Sequence, residues 1–386
     1  MEWNMTSEKW TGREWGRLML WSLVLVLLSR IILFAIYETY VWTQRQNTGF
    51  WDSLNTWDAG WYLNIIQNGY GTSPMPDGTA TWAFFPLLPA IVRFFWQLLG
   101  GDLNTVAGIV MSGLSVLMLA IVYRYLLVTG RSRGEALGIQ IFFALGLYSF
   151  YFALLYTETL YLLLLVATLY FLRTRKYLWM GVAGALLSAT RNTGIMVVFA
   201  IAVQVLEDYC RQEKTGKSVK DFLKSVFSDW KLVLGTCLIP LGMFSYIVYL
   251  GIKLGDPLAF LHVQVAWGTG SGNPFKTIWD GLQSGNLIFF CLACCAIVGL
   301  ILLLYLVKEK RWSEVCLAVI FWVIPLSVRL YSIPRYLIGG GVFVFASGDF
   351  LAKRRSRVLC AGVLVLSILI NLWLVWKWFS GSNWLI

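Results

Sequence analysis

Charged residues are scarce in this chain. Only 13% of its 386 residues are Asp, Glu, Lys or Arg, whereas 58% are hydrophobic. A soluble protein of this length carries about 25% charged residues, so the composition excludes a soluble globular protein. Several apolar runs instead reach about 18 residues, the length at which an α-helix can cross a bilayer. The sequence therefore predicts an all-α fold, a polytopic transmembrane helical bundle.

Signals of other protein classes are also missing. The chain has no Gly-rich GxGxxG motif after a strand and no P-loop, so no nucleotide-binding domain is expected. Most of its seven cysteines lie in apolar segments, which argues against a disulfide framework. Cys291-x-x-Cys294 has the spacing of a metal or redox site, but no histidine or second cysteine pair accompanies it. We interpret both residues as small side chains of a membrane helix.

The net charge of +11 could indicate a nucleic-acid partner, but the distribution of the basic residues indicates a membrane topology. Of the 31 Lys and Arg residues, 21 lie at the N-terminus or in five short segments that connect apolar runs. Such basic connectors face the cytoplasm. We therefore predict a multi-pass protein of the cell membrane with a cytoplasmic N-terminus, membrane lipids as partners and no nucleic acid.

This orientation defines the predicted topology. A single transmembrane domain, residues 1–386, has outward loops at 43–82 and 253–285 and a cytoplasmic loop at 207–231 with an interfacial helix around Val219–Trp230. The first outward loop is expected to carry short interfacial helices, and residues 83–99 to form a re-entrant or short extra span. About 11 or 12 membrane segments result. The predicted crossings are 18–42, 104–129, 136–150, 151–172, 177–190, 194–206, 232–252, 286–307, 313–331, 336–351 and 358–377.

The first outward loop contains the leading catalytic candidate, Asp58. If residues 51–66 form one helix, an apolar stripe runs along it and Asp58 falls in the middle of that stripe. A carboxylate directed into an aromatic face is costly unless it has a partner or a function, so we interpret Asp58 as functional. Trp61, on the same stripe, either contacts substrate or belongs to an aromatic belt that anchors the loop.

Two further polar clusters interrupt apolar sequence. Glu158 lies within the apolar stretch 136–172, where it either has a function or reaches water at a hairpin tip. Arg191 and Asn192, in Thr190–Gly194, combine a fixed positive charge with a helix N-terminus, which suits a phosphate. The alternative for Arg191 is that it extends to the interface or pairs with Glu158.

Two clusters follow nearer the C-terminus. Gln264 and Trp267 share a predicted helical face, and an amide beside an indole could bind a sugar. The single histidine, His262, is interpreted as structural. Arg335 and Tyr336 lie in a short outward turn, where Arg335 could bind a second phosphate or pair with Asp58. Arginines, carboxylates and aromatic residues together suit a polyprenyl-phosphate sugar, because its phosphate needs a cation and its acceptor hydroxyl needs a base.

These clusters, in this order, resemble the PIG-V family of mannosyltransferases, which belongs to the GT-C class of membrane glycosyltransferases. The matching segments are Trp57-Asp58-Ala59-Gly60-Trp61-Tyr62, Gly69-Tyr70, Ala83-Phe84-Phe85-Pro86-Leu87-Leu88-Pro89, Tyr156-Thr157-Glu158-Thr159-Leu160, Thr190-Arg191-Asn192-Thr193-Gly194, Gly255-Asp256-Pro257-Leu258-Ala259-Phe260 with Gln264 and Trp267, and Pro334-Arg335-Tyr336. The short loops resemble those of a prokaryotic relative. The resemblance implies a polyprenyl-phosphate hexose donor, inversion at the anomeric carbon, an outward active site and a lipid or glycan acceptor.

The resemblance also assigns roles. Asp58 matches the family's loop-one aspartate and would be the general base. GT-C enzymes commonly carry paired acids here, whereas Trp57 precedes Asp58 and Asp52 is six residues away. We therefore expect no obligatory metal or cofactor, with a divalent metal left open. The predicted substrate-binding residues are Trp61, Glu158, Arg191, Asn192, Gln264, Trp267, Arg335 and Tyr336. The rival hypotheses are a transporter or flippase of lipid-linked sugars and a non-catalytic membrane scaffold.

Overall fold

A computed structural model describes residues 10–44, 48–212, 218–268, 272–354 and 356–381. Throughout these ranges the regular structure is helical, with α-helices joined by short 3-10 turns and no β-strand. The chain divides into two compact units, the first made of residues 1–163 with 347–386 and the second of residues 164–346. The all-α prediction is thereby confirmed.

The helices of the first unit come from both ends of the chain. They are α1 (Gly12–Gln44), α2 (Phe50–Leu54), α3 (Asp58–Asn68), α4 (Leu87–Leu99), α5 (Leu103–Val128), α6 (Arg133–Leu145) and, at the C-terminal end of the chain, α19 (Arg357–Phe379). Two helices cross the unit boundary in sequence, namely α7 (Glu158–Arg173) and α18 (Val342–Lys353).

The second unit contains the remaining helices. They are α8 (Tyr177–Ser188), α9 (Val197–Gln212), α10 (Val219–Ser228), α11 (Trp230–Leu238), α12 (Leu241–Leu254), α13 (Ala259–His262), α14 (Pro274–Gln283), α15 (Leu287–Lys308), α16 (Trp312–Val328) and α17 (Ile333–Gly339). Helix α10 falls where an interfacial helix was predicted, and none of its side chains is buried.

Six helical segments of the described chain are long and apolar enough to cross a membrane, which confirms a multi-pass protein. They are Gly12–Gln44, Leu103–Val128, Asn192–Arg211, Trp230–Leu254, Leu287–Lys308 and Arg357–Phe379. Shorter apolar helices are Leu87–Leu99, Tyr177–Ser188 and Trp312–Val328. At 13 residues, α4 is about 20 Å long, too short to span a core of about 30 Å. The total number of crossings stays a prediction.

The predicted helix bounds were wrong in three regions. The stripe helix 51–66 separates into α2 and α3, because Trp57 adopts a left-handed φ of 57°. The two crossings predicted to meet at residue 150 are instead joined by a segment with a short 3-10 turn, and residues 148–157 of it are buried. The crossing 336–351 is interrupted where Gly341 has a φ of 71°. Each interruption contains a residue with a positive φ, Tyr148 with 58° in the second case, and a regular helix cannot contain such a residue.

Polar contacts between helices stabilise the first unit. Gln140 of α6 donates from Nε2 to the Ser22 hydroxyl of α1 at 3.0 Å. Arg131, which follows α5, makes a bidentate ion pair with Asp349 of α18, with both N···O distances 2.7 Å. Both pairs lie between elements that are far apart in sequence, so they fix packing rather than local structure.

Close backbone packing characterises the second unit. A Cβ placed on Gly181 of α8 would lie 2.5 Å from the carbonyl oxygen of Gly235 in α11. A Cβ placed on Gly242 of α12 would lie 1.8 Å from the carbonyl oxygen of Ala185 in α8. Ser188 of α8 donates to the Ile239 carbonyl at 2.6 Å. Small residues allow membrane helices to approach in this way, so α8 depends on glycine for its position.

Candidate active site

Asp58 is the first residue of α3, directly after a strained position. Trp57 has φ 57° and ψ −121°, an uncommon conformation for a residue with a side chain. Such strain persists only where surrounding contacts enforce it, and it clusters at functional sites. The first turn of a helix also favours a carboxylate, because its backbone N–H groups point towards it. Asp58 is half-buried there.

The segment before Asp58 is fixed by Asn55, a residue that our sequence analysis missed. Its Nδ2 donates to Asn104 Oδ1 at 2.9 Å, and its Oδ1 accepts from the backbone N–H of Leu155 at 3.2 Å. Asn104 in turn donates to Asp52 Oδ1 at 2.5 Å. The only signal in the sequence is the position of a polar residue three places before Asp58, which does not reveal its partners.

A second hydrogen bond connects the same two segments. The Tyr156 hydroxyl donates to the Thr56 carbonyl at 3.3 Å. Thr56 and Tyr156 each lie two residues before a candidate acid, Asp58 in one case and Glu158 in the other. The chain regions of the two carboxylates are therefore joined within the first unit.

Glu158 is the first residue of α7 and only 1% exposed. Its neighbours Thr157 and Thr159 are 1% and 0% exposed. The interpretation of Glu158 as a hairpin tip that reaches water was therefore wrong. Like Asp58, Glu158 lies in the first turn of a helix, where backbone N–H groups point towards a carboxylate. Asp58 and Glu158 are thus the first residues of two helices, and the segments before these helices are hydrogen-bonded to each other.

Aromatic residues pack around α3. Trp61 stacks on Phe84 with ring centroids 5.7 Å apart, and Tyr62 meets Phe84 edge-on at 5.1 Å. The Tyr70 hydroxyl donates to the Phe84 carbonyl at 2.7 Å. Phe84 thus packs against α3, and Tyr70 holds the backbone of Phe84 in place. A role of half-buried Trp61 in substrate binding stays a prediction.

In the second unit, Arg191 and Tyr336 meet. Arg191 lies in extended backbone between α8 and a 3-10 turn at Asn192–Met196. Its guanidinium carbon is 5.3 Å from the centroid of the Tyr336 ring, a cation–π distance. Arg335, the neighbour of Tyr336 in α17, is half-buried, and Asn192 is exposed. Residues of two predicted phosphate-binding motifs, Thr190–Gly194 and Pro334–Tyr336, are therefore in contact.

Gly194 explains the shape of the Arg191 turn. A Cβ at this position would lie 2.3 Å from the Leu187 carbonyl oxygen of α8. The Gly194 N–H donates to the Arg191 carbonyl at 2.9 Å. Any larger residue would displace this turn, so the lack of a side chain at Gly194 allows the turn to lie close to the end of α8.

Gln264 and Trp267 lie in a 3-10 turn, Val263–Trp267, that follows α13. The predicted single α-helical face is therefore interrupted. Gln264 donates from Nε2 to the Phe260 carbonyl at 3.4 Å, and both Gln264 and Trp267 are half-buried. Their predicted contact with a sugar stays a prediction.

His262, the single histidine, forms a contact with Asp256. Its Nδ1 is 2.7 Å from Asp256 Oδ2, and the hydrogen bond between them holds the pKa of the Asp256 carboxyl below its usual value. Asp256 also accepts from the Leu258 N–H at 3.0 Å, which closes the turn before α13. The contacts of His262 agree with the structural interpretation.

No group of three or more His, Cys, Asp or Glu side chains that could hold a metal ion occurs among the described residues. Whether catalysis depends on a metal therefore stays a prediction.

The chain was compared with models of known protein families. A family model described as Mannosyltransferase (PIG-V) matches residues 26–274, about two thirds of the chain. The matched range includes Asp58, Glu158 and Arg191 and ends before Arg335. Comparison with curated proteins gave no match.

Proposed function

The chain belongs to the PIG-V mannosyltransferase family, and from this membership we propose that it transfers a hexose, mannose, from a polyprenyl-phosphate sugar to an acceptor hydroxyl on the outer face of the membrane. The family makes it a membrane glycosyltransferase. The observation that supports the proposed mechanism most directly is the hydrogen bonding between the segments that precede Asp58 and Glu158.

In this mechanism Asp58 is the general base. Its carboxylate accepts the proton of the acceptor hydroxyl as the hydroxyl oxygen bonds to the anomeric carbon of the donor. The bond from that carbon to the phosphate oxygen breaks, and polyprenyl phosphate leaves with the electron pair. Attack opposite the leaving group inverts the anomeric configuration. A positioned base contributes about 10²–10⁴-fold to such a reaction.

Arg191 and Arg335 are proposed to bind the phosphate, both in the donor and as it leaves. A guanidinium offers a planar set of N–H donors that matches phosphate oxygens and keeps its charge at any physiological pH. The Tyr336 ring under Arg191 restricts the orientation of the guanidinium. Charge on the leaving phosphate grows in the transition state, so fixed cations there accelerate the reaction.

The remaining residues are proposed to orient the sugar and the lipid. Glu158 is proposed to accept hydrogen bonds from sugar hydroxyls, as a carboxylate at the first residue of a helix. Gln264 and Trp267 offer an amide and an indole face, and Trp61, Asn192 and Tyr336 complete the predicted contacts. No metal takes part in these steps, and the acceptor is a lipid or glycan that carries a free hydroxyl.

A transfer assay tests the proposal. The purified protein in lipid vesicles is incubated with labelled polyprenyl-phosphate mannose and a membrane lipid extract, with and without EDTA. We expect a new labelled glycolipid of inverted configuration, formed equally in both samples. Movement of intact donor across the vesicle membrane without a new product would contradict transfer and favour the flippase hypothesis. Loss of product with EDTA would contradict metal independence alone.

A further inference from the structure

Arg30 is a charged residue in the middle of the first membrane-spanning helix, and the proposed mechanism does not use it. It lies 18 residues after the start of α1 and 14 before its end, so it is about 27 Å and 21 Å from the helix termini. An ionisable residue at this depth is costly and usually functional.

The Arg30 guanidinium binds neutral oxygens only. Nε donates to Ser112 Oγ at 3.1 Å, Nη1 to Ser29 Oγ at 3.3 Å, and Nη2 to Ser115 Oγ at 3.0 Å. Nη2 also donates to the Phe152 carbonyl at 3.0 Å. A cavity of about 10 Å³, room for about one water, adjoins the group. Among the described residues, no carboxylate forms an ion pair with Arg30.

The Phe152 carbonyl is the point at which this cluster meets the candidate active site. Besides Arg30, it accepts from the Ser115 hydroxyl at 2.8 Å and from the Thr159 hydroxyl at 3.1 Å. Thr159 is the residue after Glu158. Three residues beyond Phe152, the Leu155 N–H is held by Asn55. One carbonyl therefore connects Arg30 to the N-terminus of α7 and, through the buried connector, to the segment before Asp58.

We propose that Arg30 is a positioning residue that fixes the connector 149–157 and thereby sets the geometry of Glu158 and Asp58. The proposal rests on the proposed function for its catalytic consequence only. A guanidinium suits this task because its planar donors reach α1, α5 and the connector at once, which the single ammonium of lysine cannot do. A misplacement of about 1 Å in a catalytic group can lower a rate by about 100-fold.

The test compares Arg30→Met, Arg30→Lys and Ser22→Ala in the full chain in lipid nanodiscs. Ser22 is the matched control, since it lies on the same helix and its hydroxyl is bonded to Gln140, outside the connector. Amide hydrogen exchange over residues 153–159 and the kcat and KM for the donor are measured. For Arg30→Met we expect faster exchange and a kcat reduced about 10- to 100-fold with a nearly unchanged KM. Arg30→Lys should be intermediate, and Ser22→Ala, which removes a hydrogen bond elsewhere in the unit, should leave exchange over residues 153–159 and kcat as in the wild type.

The proposal would be overturned if Arg30→Met and Ser22→Ala showed the same amide exchange and the same kcat. If Arg30→Met fails to fold, Ser115→Ala replaces it, because it removes a second donor to Phe152 and keeps the charge. Unchanged exchange over 153–159 in Ser115→Ala and in Arg30→Lys would then overturn it. The exchange measurement needs no substrate. Faster exchange in variants of a protein that shows no sugar transfer would support the positioning role and contradict the proposed function.

Discussion

The two units of the molecule carry candidate groups of opposite charge. The first unit holds the candidate acids Asp58 and Glu158, each at the first residue of a helix. The second holds Arg191 and Arg335, and Arg191 lies in extended backbone against the Tyr336 ring. A glycosyl transfer needs both kinds of group, a base for the acceptor and cations for the leaving phosphate. In the proposed function, the acids and the cations therefore have different roles.

The units also hold their candidate groups by different means. In the first unit, Asn55 and Tyr156 make hydrogen bonds between segments about 100 residues apart in sequence. In the second, Gly194 and Gly242 allow their backbone segments to approach α8 at distances where a Cβ would collide. Polar substitutions should therefore disturb the first unit most, and added volume should disturb the second.

The largest effect is expected at Asp58. Asp58→Asn should lower kcat by about 10²–10⁴-fold, because an amide cannot accept the proton of the acceptor hydroxyl. Donor binding should be nearly unchanged. Initial rates and an equilibrium binding assay check both expectations. Asp52→Asn is the matched control in the same loop and should retain most of the activity, because its amide oxygen can still accept the hydrogen bond from Asn104. Equal losses in the two variants would contradict the assignment of the base.

A different pattern is expected in the second unit. Arg191→Ala should raise the Kd for the donor about 10- to 100-fold, because hydrogen bonds to a charged group contribute about 1.5–3 kcal/mol. Tyr336→Phe keeps the ring and should affect binding far less than Tyr336→Ala. These values come from titration of the protein with the labelled donor. An unchanged Kd in Arg191→Ala would refute its role in phosphate binding.

A substitution at Gly194 tests whether the second unit depends on close backbone packing. Gly194→Ala should destabilise the protein by about 1–3 kcal/mol, because the new methyl group would collide with the Leu187 carbonyl. Gly113→Ala, in α5 of the first unit, is the control, since a Cβ there has no neighbour within 4 Å. Thermal unfolding in detergent measures both. A similar unfolding temperature for the two variants would show that the turn adapts to added volume.

The smallest effect is expected at His262. The hydrogen bond to His262 keeps the pKa of Asp256 below 3.8 in the folded state. Its contribution to stability is therefore present above that pH and is lost as the pH falls through the lower folded value. His262→Ala should raise the pKa of Asp256 towards 3.8 and leave transfer at neutral pH unchanged. Carboxyl titration and initial rates check this, and a large loss of transfer would give His262 a catalytic role.

Much of this molecule could be predicted from sequence because membrane helices leave a strong compositional signal. The apolar runs revealed the long spans, and the position of Asp58 among aromatic residues identified it as unusual. The break at Trp57 could not be predicted, since tryptophan carries no local signal for a positive φ. The burial of Glu158 depends on a segment joined to residues 55–56, and local sequence does not encode such distant contacts. Arg30, a charge within an apolar run, was missed in the sequence analysis, and local sequence does not encode its hydrogen bond to Phe152.

The central claim of the proposed function is that Asp58 acts as the general base while Arg191 and Arg335 bind the donor phosphate. Single-turnover transfer and donor binding, measured side by side on Asp58→Asn and Arg191→Ala in the same vesicles, test it most directly. The account predicts that Asp58→Asn binds donor as the wild type does but fails to transfer the sugar, and that Arg191→Ala binds it weakly. Transfer by Asp58→Asn at the wild-type rate would contradict the account.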